Sequence, residues 1–413
     1  MHLVLIHRYF WPDTPAYAHI LRKVALRLAD EGHRVTVLTC QPSYTRSVVN
    51  RAPARESLAP GVEVRRWSVI PDRRFAVLKI LNVLLFCIRL LLSPRWLGRV
   101  DCVMAASAPP LAVAKVGSWL ARRCKADFIY HKQDIYPEVV VATGILRSRM
   151  AAEVLRRLDA RTERTAKRIV VLSGDMADTV RSRGATDAQI AVINNFDPWD
   201  WSSSDVTQPS DAAGLAADGQ RPQLQVVFAG NLGRFQNLEV VVAVAVALRN
   251  DPRLAFHFFG LGALFPTIER AIATHRLSNV HLHGYQSPEH IADFMRRGAS
   301  LGVVSLAPGV VRAAYPSKTL SYLRNGRPLL LLVEPDTELV RNVVAAGAGV
   351  HVDPLDIDGI ATTLCDLAGR PEDLELAGKA ASVLYGNEFS PERQLGLWVD
   401  LFETVGGRQA GGR

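Results

Sequence analysis

Cysteine is scarce in this chain, with five in 413 residues. None of the five (Cys40, Cys87, Cys102, Cys124 and Cys365) forms a CxxC pair, and most lie in apolar runs. They read as buried, reduced thiols, which suits a cytosolic protein and argues against secretion. The opening Met-His-Leu-Val-Leu-Ile-His holds too short an apolar run for a signal peptide and reads as a first strand. Acids are thin in the first half. Residues 1–200 hold 31 Lys/Arg against 18 Asp/Glu, whereas residues 201–413 hold 18 against 22. Residues 46–99 alone carry 11 basic and 3 acidic side chains. That concentration suggests an anionic partner: a membrane surface, a nucleic acid or a phosphorylated substrate. The basic stretch is interleaved with aliphatics and not with stacking aromatics, which sets nucleic acid aside.

What is present is patterned for two domains. Apolar content of 48% with 22% charged residues describes a globular chain, too long for one ordinary core. Short β-branched runs alternate with helical patterns: Leu3–Ile6, Val35–Thr39, Val62–Trp67, Val100–Ala105, Phe128–His131, Ile169–Leu172 and Ala191–Ile193. Leu224–Ala229 opens a second series with Ala255–Phe259, Val280–Leu282, Leu301–Ser305, Leu329–Val333 and Gly349–Val352. Alternation of this kind predicts an α/β protein of two doubly wound, Rossmann-like domains with parallel sheets. The expected division is 1–201, a Ser/Asp/Ala/Gly-rich linker at 202–222, a second domain at 223–388, a final helix at 389–405 packing back on the first domain, and a disordered tail at 406–413. Ligands of such sheets bind beyond the carboxyl ends of the strands, so two binding edges facing a cleft would suit a reaction joining two substrates.

Three segments of the second half follow strands. In Gly230-Asn231-Leu-Gly233-Arg234 the glycines either let backbone approach a ligand or simply turn the chain into a helix read over Gln236–Asn250. Gly260-Leu-Gly262 repeats that ambiguity before a helix at Phe265–His275. Pro316-Ser317-Lys318 is sharper. Ser317 is a suitable N-cap, Gly326 a suitable stop, and Lys318 falls in the first helical turn, where the dipole disfavours a cation. A bound diphosphate, contacted by free N–H groups and by Lys318, would relieve that conflict; a solvated surface lysine is the alternative.

The order of segments resembles the GT-B-fold glycosyltransferases of family 4, and most of all the bacterial transferases of O-antigen, capsule and exopolysaccharide synthesis. Tyr9-Phe-Trp11-Pro12-Asp13, the Gly-His-Arg-Val-Thr-Val at 32–37, His131-Lys-Gln-Asp134-Ile-Tyr-Pro-Glu138, Ala229-Gly-Asn-Leu-Gly233 and Pro316-Ser-Lys318 through Pro328 follow in family order. The resemblance implies a nucleotide-sugar donor in the second domain, an acceptor in the first, retention of anomeric configuration, and no cofactor or metal. Lys318, Arg234 and the Gly233 amide would then stabilise charge on the departing diphosphate. Asp134 and His131 would orient the acceptor hydroxyl or take its proton. Trp11, Pro12, Asp13 and Glu138 would belong to the acceptor side. Glu338 would contact donor hydroxyls, or serve only as an acid favoured at a helix start.

Two departures stand out. Many members carry a spaced pair of glutamates where this chain has Ala313 and Ser321, and a turn lysine where it has Gln236, which leaves more of the phosphate charge to Lys318. Asp356-Ile-Asp358 could hold a metal, but it opens an amphipathic helix, where aspartate is favoured as a cap. Phe75–Leu92 is apolar apart from Lys79, Asn82 and Arg89, with Arg73, Arg74, Arg95, Arg99 and Trp96 flanking it. Its charges argue against a membrane span; an in-plane membrane helix or a packed internal helix fits instead. The reading for the whole chain is a retaining transferase moving a hexose or amino sugar from a UDP- or GDP-sugar to a polyprenyl-diphosphate-linked saccharide. It would work in the cytoplasm, peripheral on the inner face of the plasma membrane, held to anionic lipid through residues 73–99. A nucleotide-sugar epimerase of the same fold and an inactive scaffold are the alternatives.

Overall fold

A computed structural model describes residues 1–43, 51–70, 76–199 and 222–407. Arg73, Arg74, nearly all of the expected linker and most of the tail lie outside these residues. The chain divides into two compact units: Met1–Pro198 with Arg312–Tyr315 and Pro391–Arg413, and Trp199–Val311 with Pro316–Ser390.

The first unit holds an eight-stranded sheet of β1 (His2–Ile6), β2 (Arg34–Cys40), β3 (Arg55–Ala59), β4 (Val62–Trp67), β5 (Cys102–Ala106), β6 (Asp127–His131), β7 (Arg168–Val171) and β8 (Ile190–Val192), ordered β3-β4-β2-β1-β5-β6-β7-β8. Its helices are α1 (Ala16–Asp30), α2 (Ala76–Leu92), α3 (Pro94–Leu97), α4 (Ala112–Cys124), α5 (Glu138–Ala142), α6 (Arg149–Glu163) and α7 (Gly174–Ser182). The second unit has β9 (Leu224–Ala229), β10 (Leu254–Phe259), β11 (Val280–Gly284), β12 (Leu301–Ser305), β13 (Leu329–Leu332) and β14 (Gly349–His351), ordered β11-β10-β9-β12-β13-β14. Its helices are α8 (Leu238–Ala247), α9 (Phe265–His275), α10 (Pro288–Arg297), α11 (Lys318–Arg324), α12 (Glu338–Ala345), α13 (Ile357–Ala368) and α14 (Pro371–Leu384); α15 (Pro391–Val405) then packs in the first unit.

Strands β1, β5, β10 and β12 are buried on both faces, which is why they read as unbroken apolar runs. Among the described residues every pairing of these strands is parallel except β3 with β4. β3 carries the polar sequence Arg-Glu-Ser-Leu-Ala on a sheet edge, so no apolar signal announced it. Strand order reverses between β1 and β5 in the first unit and between β9 and β12 in the second, the points where doubly wound sheets open a crevice. Trp398 and Phe402 of α15 are buried in the first unit's core with Leu21, Val24 and Leu28 of α1. One helix differs in extent from the sequence expectation. The expected Gln236–Asn250 helix is a 3₁₀ turn at Arg234–Gln236, then Asn237 at φ +46°, then α8. Asparagine tolerates that left-handed backbone, and the break sets Gln236 in a turn.

Candidate donor and acceptor sites

In the second unit, the loop after β9 and the first turn of α11 meet at the crevice between β9 and β12. Tyr322 fixes this arrangement. Its hydroxyl accepts the Ala229 N–H at 2.7 Å, and its ring lies over Gly302 of β12, where a Cβ would come within 2.4 Å of it. One helical turn earlier, on the same face, stands Lys318. Its ammonium lies 4.6 Å from the centroid of the Phe228 ring, and its Cε lies 3.8 Å from where a Cβ on Gly230 would be. It also donates a short hydrogen bond to the Gln236 side-chain oxygen. Burial lowers the Lys318 ammonium to about 7. The sequence placed Lys318 and Gln236 as separate features; the fold puts them in contact, with Gln236 a neutral acceptor for Lys318.

The glycines have a clear steric reason. A Cβ on Gly260 (φ +129°) would lie 1.9 Å from the Gly230 carbonyl oxygen, and one on Gly262 would lie 2.3 Å from that of Leu232. The loops are laced by Gly230 N–H to Phe259 O (2.9 Å), Leu232 N–H to Leu261 O (3.0 Å) and Leu264 N–H to Leu232 O (2.9 Å). Gly260 and Gly262 thus support the Gly230–Gly233 loop from beneath, backbone on backbone. Asn231 and Arg234 are exposed. Ser317 is exposed and makes no side-chain cap, contrary to expectation; its backbone is already helical, and the turn is closed by the Thr319 N–H to Pro316 O at 3.0 Å. Gly326 (φ +64°) does end the helix. Glu338 stands in the first turn of α12, behind the capping hydroxyl of Thr337. Asp356 is the N-cap of α13, its carboxylate accepting the Gly359 N–H at 2.8 Å.

In the first unit the segment after β6 is tied inward. His131 is 1% exposed. Its Nδ1 lies 2.7 Å from the Tyr17 hydroxyl and its Nε2 2.8 Å from the Gln133 amide nitrogen, with Trp398 edge-on at 4.9 Å. Burial lowers it to about 3, so it is a neutral spacer in the interior and not a group open to an acceptor. Asp134 pairs through its backbone with Ala314; the next residue, Ile135, donates its N–H to Ala313 O (2.7 Å), and burial raises the Asp134 carboxyl to about 6. Asp13 and Glu138 also have structural work. Asp13 is buried and accepts the N–H groups of Thr14 (3.0 Å) and Ser43 (2.9 Å). Glu138 pairs with Arg156 at 2.8 Å and closely with Arg183. Trp11, half-buried, stacks on the Arg22 guanidinium, and Pro12 follows it through a cis bond.

Glu138 belongs to a buried ion cluster that sequence reasoning missed. Lys132, fully buried, meets Asp159 at 2.5 Å and Glu163 at 2.9 Å, and Arg183 joins both acids at 2.9 and 3.1 Å. The available signal was the pair of acids four apart on the inner face of α6.

The apolar helix α2 buries one face, including Phe86 and Leu90, and leaves the other open. Asn82 turns inward and exchanges two 2.8 Å hydrogen bonds with the Ile70 backbone, and Arg89 donates to Ser68 O. The opposite arc, Val77, Ile80, Leu84, Ile88 and Leu91, is exposed, with Ile80 61% open. Among the described residues no helix is long and apolar enough to cross a membrane.

Residues 16–195 match the family model described as a glycosyl transferase 4-like domain. The chain is 24% identical over 317 residues to a probable glycosyltransferase, WbjE, of Pseudomonas aeruginosa, covering 75% of each chain. It is 23% identical to the putative colanic acid biosynthesis glycosyl transferase WcaI of Escherichia coli, covering 81% of this chain and 84% of that one. Among solved structures, HepE of Anabaena in complex with UDP superposes with a TM-score of 0.69 at 13% identity, covering 98% of this chain and 100% of HepE. Residues 16–195 thus match a glycosyl transferase 4-like domain, and the two doubly wound units have the GT-B fold of glycosyltransferases.

Proposed function

We propose that this transferase moves a hexose or amino sugar from a UDP- or GDP-sugar to a polyprenyl-diphosphate-linked saccharide in surface polysaccharide synthesis, with retention and without a metal. The observation that carries the donor half is Lys318. A half-buried ammonium on an aromatic face, beside a glycine loop at a sheet's switch point, is costly without an anion and well placed with one. The departing diphosphate would rest on Lys318, the Gly233 amide and Arg234, while Asn231 and Glu338 contact the rest of the donor. HepE, of similar fold, is seen with UDP, and WcaI is named for colanic acid; both support the reading.

Asp134 is our candidate for the group that orients the acceptor hydroxyl, in the same unit as Trp11 and Pro12. The exposed apolar arc of α2 favours a membrane-held acceptor over a soluble epimerase, with the protein peripheral on the inner face of the plasma membrane. A thermal-shift screen of nucleotides and nucleotide sugars tests the donor half directly. Stabilisation by UDP or GDP, lost in Lys318→Ala, is the expected result; no stabilisation by any nucleotide would favour an inactive scaffold.

A further inference from the structure

Helix α6 shows the same anomaly as α2, on the same side of the first unit's sheet. α2 packs on α4, and α4 on α6. The inner face of α6 supplies Ala152, Asp159, Ala160 and Glu163 to the interior. A surface helix would ordinarily turn a polar stripe outward. Here Met150, Val154 and Leu158, spaced four apart, form an exposed apolar ridge, with Met150 79% open. Ile145, in the turn that leads into α6, is exposed as well.

Basic side chains outnumber acids beside the ridge. Arg157, Arg161 and Arg164 are exposed, and with Arg156 they line a hollow of about 450 Å³. The acids that share it, Glu138 and Glu153, are already paired, the first with Arg156 and Arg183 and the second with Arg156 and Arg157. Between the two ridges α4 exposes Lys115, Arg122 and Arg123. Helices α2, α3 and α4 contain no Asp or Glu at all. The outer surface of this helix layer is therefore two apolar ridges with cations between and beside them.

We infer that α6 is a second membrane-docking element, and that the α2–α4–α6 layer lies flat on an anionic bilayer with both ridges inserted. This rests on the membrane reading of α2 given above. The chemistry is that of an interfacial surface: aliphatic side chains enter the acyl boundary while Lys and Arg meet headgroup phosphates. Two ridges, unlike one, fix the orientation of the unit, with its strands running parallel to the bilayer.

The test is sedimentation of the full chain with phosphatidylcholine vesicles, with and without phosphatidylglycerol, for wild type, Leu84→Asp, Val154→Asp and Arg161→Glu. The side chains changed on α6 are exposed, so unfolding midpoints should match wild type. Val154→Asp is expected to weaken binding to anionic vesicles about tenfold and Arg161→Glu about fivefold, and binding should fall without phosphatidylglycerol. If both α6 variants bind like wild type while Leu84→Asp does not, the α6 ridge is overturned and the α2 reading stands. If Leu84→Asp also binds normally, the membrane reading itself fails. A wild-type dimer that Val154→Asp converts to monomer, with vesicle binding unchanged, would make the ridge an interface between copies and overturn the inference.

Discussion

Donor affinity should depend on pH through Lys318. In the free protein burial holds the ammonium near 7, so above that pH most molecules present a neutral amine. A diphosphate binds the charged form and restores its proton affinity. The free protein must then take up a proton to bind, and affinity falls as pH rises through 7 and beyond. With a free-state value of 7 and a bound-state value well above 9, affinity drops roughly eightfold between pH 7.5 and 8.5, about 1.2 kcal/mol. The terminal phosphate of a nucleoside diphosphate, titrating near 6, is fully ionised across that window and contributes nothing to the slope. Calorimetry in buffers of different ionisation enthalpy should count about one proton taken up at pH 8.5. Lys318→Met should bind about 10- to 150-fold more weakly, the loss expected for a charge-assisted hydrogen bond, and its affinity should be flat over the same range. A wild-type affinity that does not change between pH 7.5 and 8.5, with no proton uptake, would refute the placement of the diphosphate on Lys318. The same depression makes the ligand-free fold gain stability as pH rises from about 7 towards the usual lysine range, because there the unfolded chain holds the proton and the folded one does not.

Gly260→Ala should cost about 3 kcal/mol or more, since it forces a left-handed alanine into the Gly230 carbonyl; chemical denaturation measures the loss, and the nucleotide-induced thermal shift should vanish with it. Lys132→Met leaves two buried acids, Asp159 and Glu163, with Arg183 as their cation and should destabilise by about 3–5 kcal/mol, read as a lowered denaturant midpoint. If Asp134 must be ionised to work, kcat/KM should fall as pH drops through about 6, and Asp134→Asn should remove both the activity and that limb of the profile. Activity should survive exhaustive treatment with EDTA, assayed by release of the nucleoside diphosphate.

Much of the fold was legible because parallel strands buried on both faces announce themselves as aliphatic runs; Leu301–Ser305 and the helix Phe265–His275 were placed to the residue. What escaped was whatever the third dimension decides. Nothing in Arg55–Ala59 signals a strand until β4 lies alongside it. The polar arc of α2 was legible, but a helical wheel cannot say which arc faces the protein, and the fold turns Asn82 inward to the Ile70 backbone. Lys318 was singled out for its awkward place at a helix start, whereas its setting comes from Phe228 and Gln236, residues about 90 and 82 positions away. His131 looked available because it ends a strand; α15, returning from the far end of the chain, covers it with Trp398.

The support of one glycine loop by another has a consequence for anyone wishing to retarget this enzyme. A library randomised at positions 230, 260 and 262 would return glycine, because backbone oxygens already occupy the space beside two of them and the third has φ +141°. On the proposed donor site, donor choice would have to be retuned through side chains beside this fixed platform, with Asn231 and Arg234 of the loop and Glu338 of α12 as starting positions. The platform itself can be carried unchanged from one design to the next.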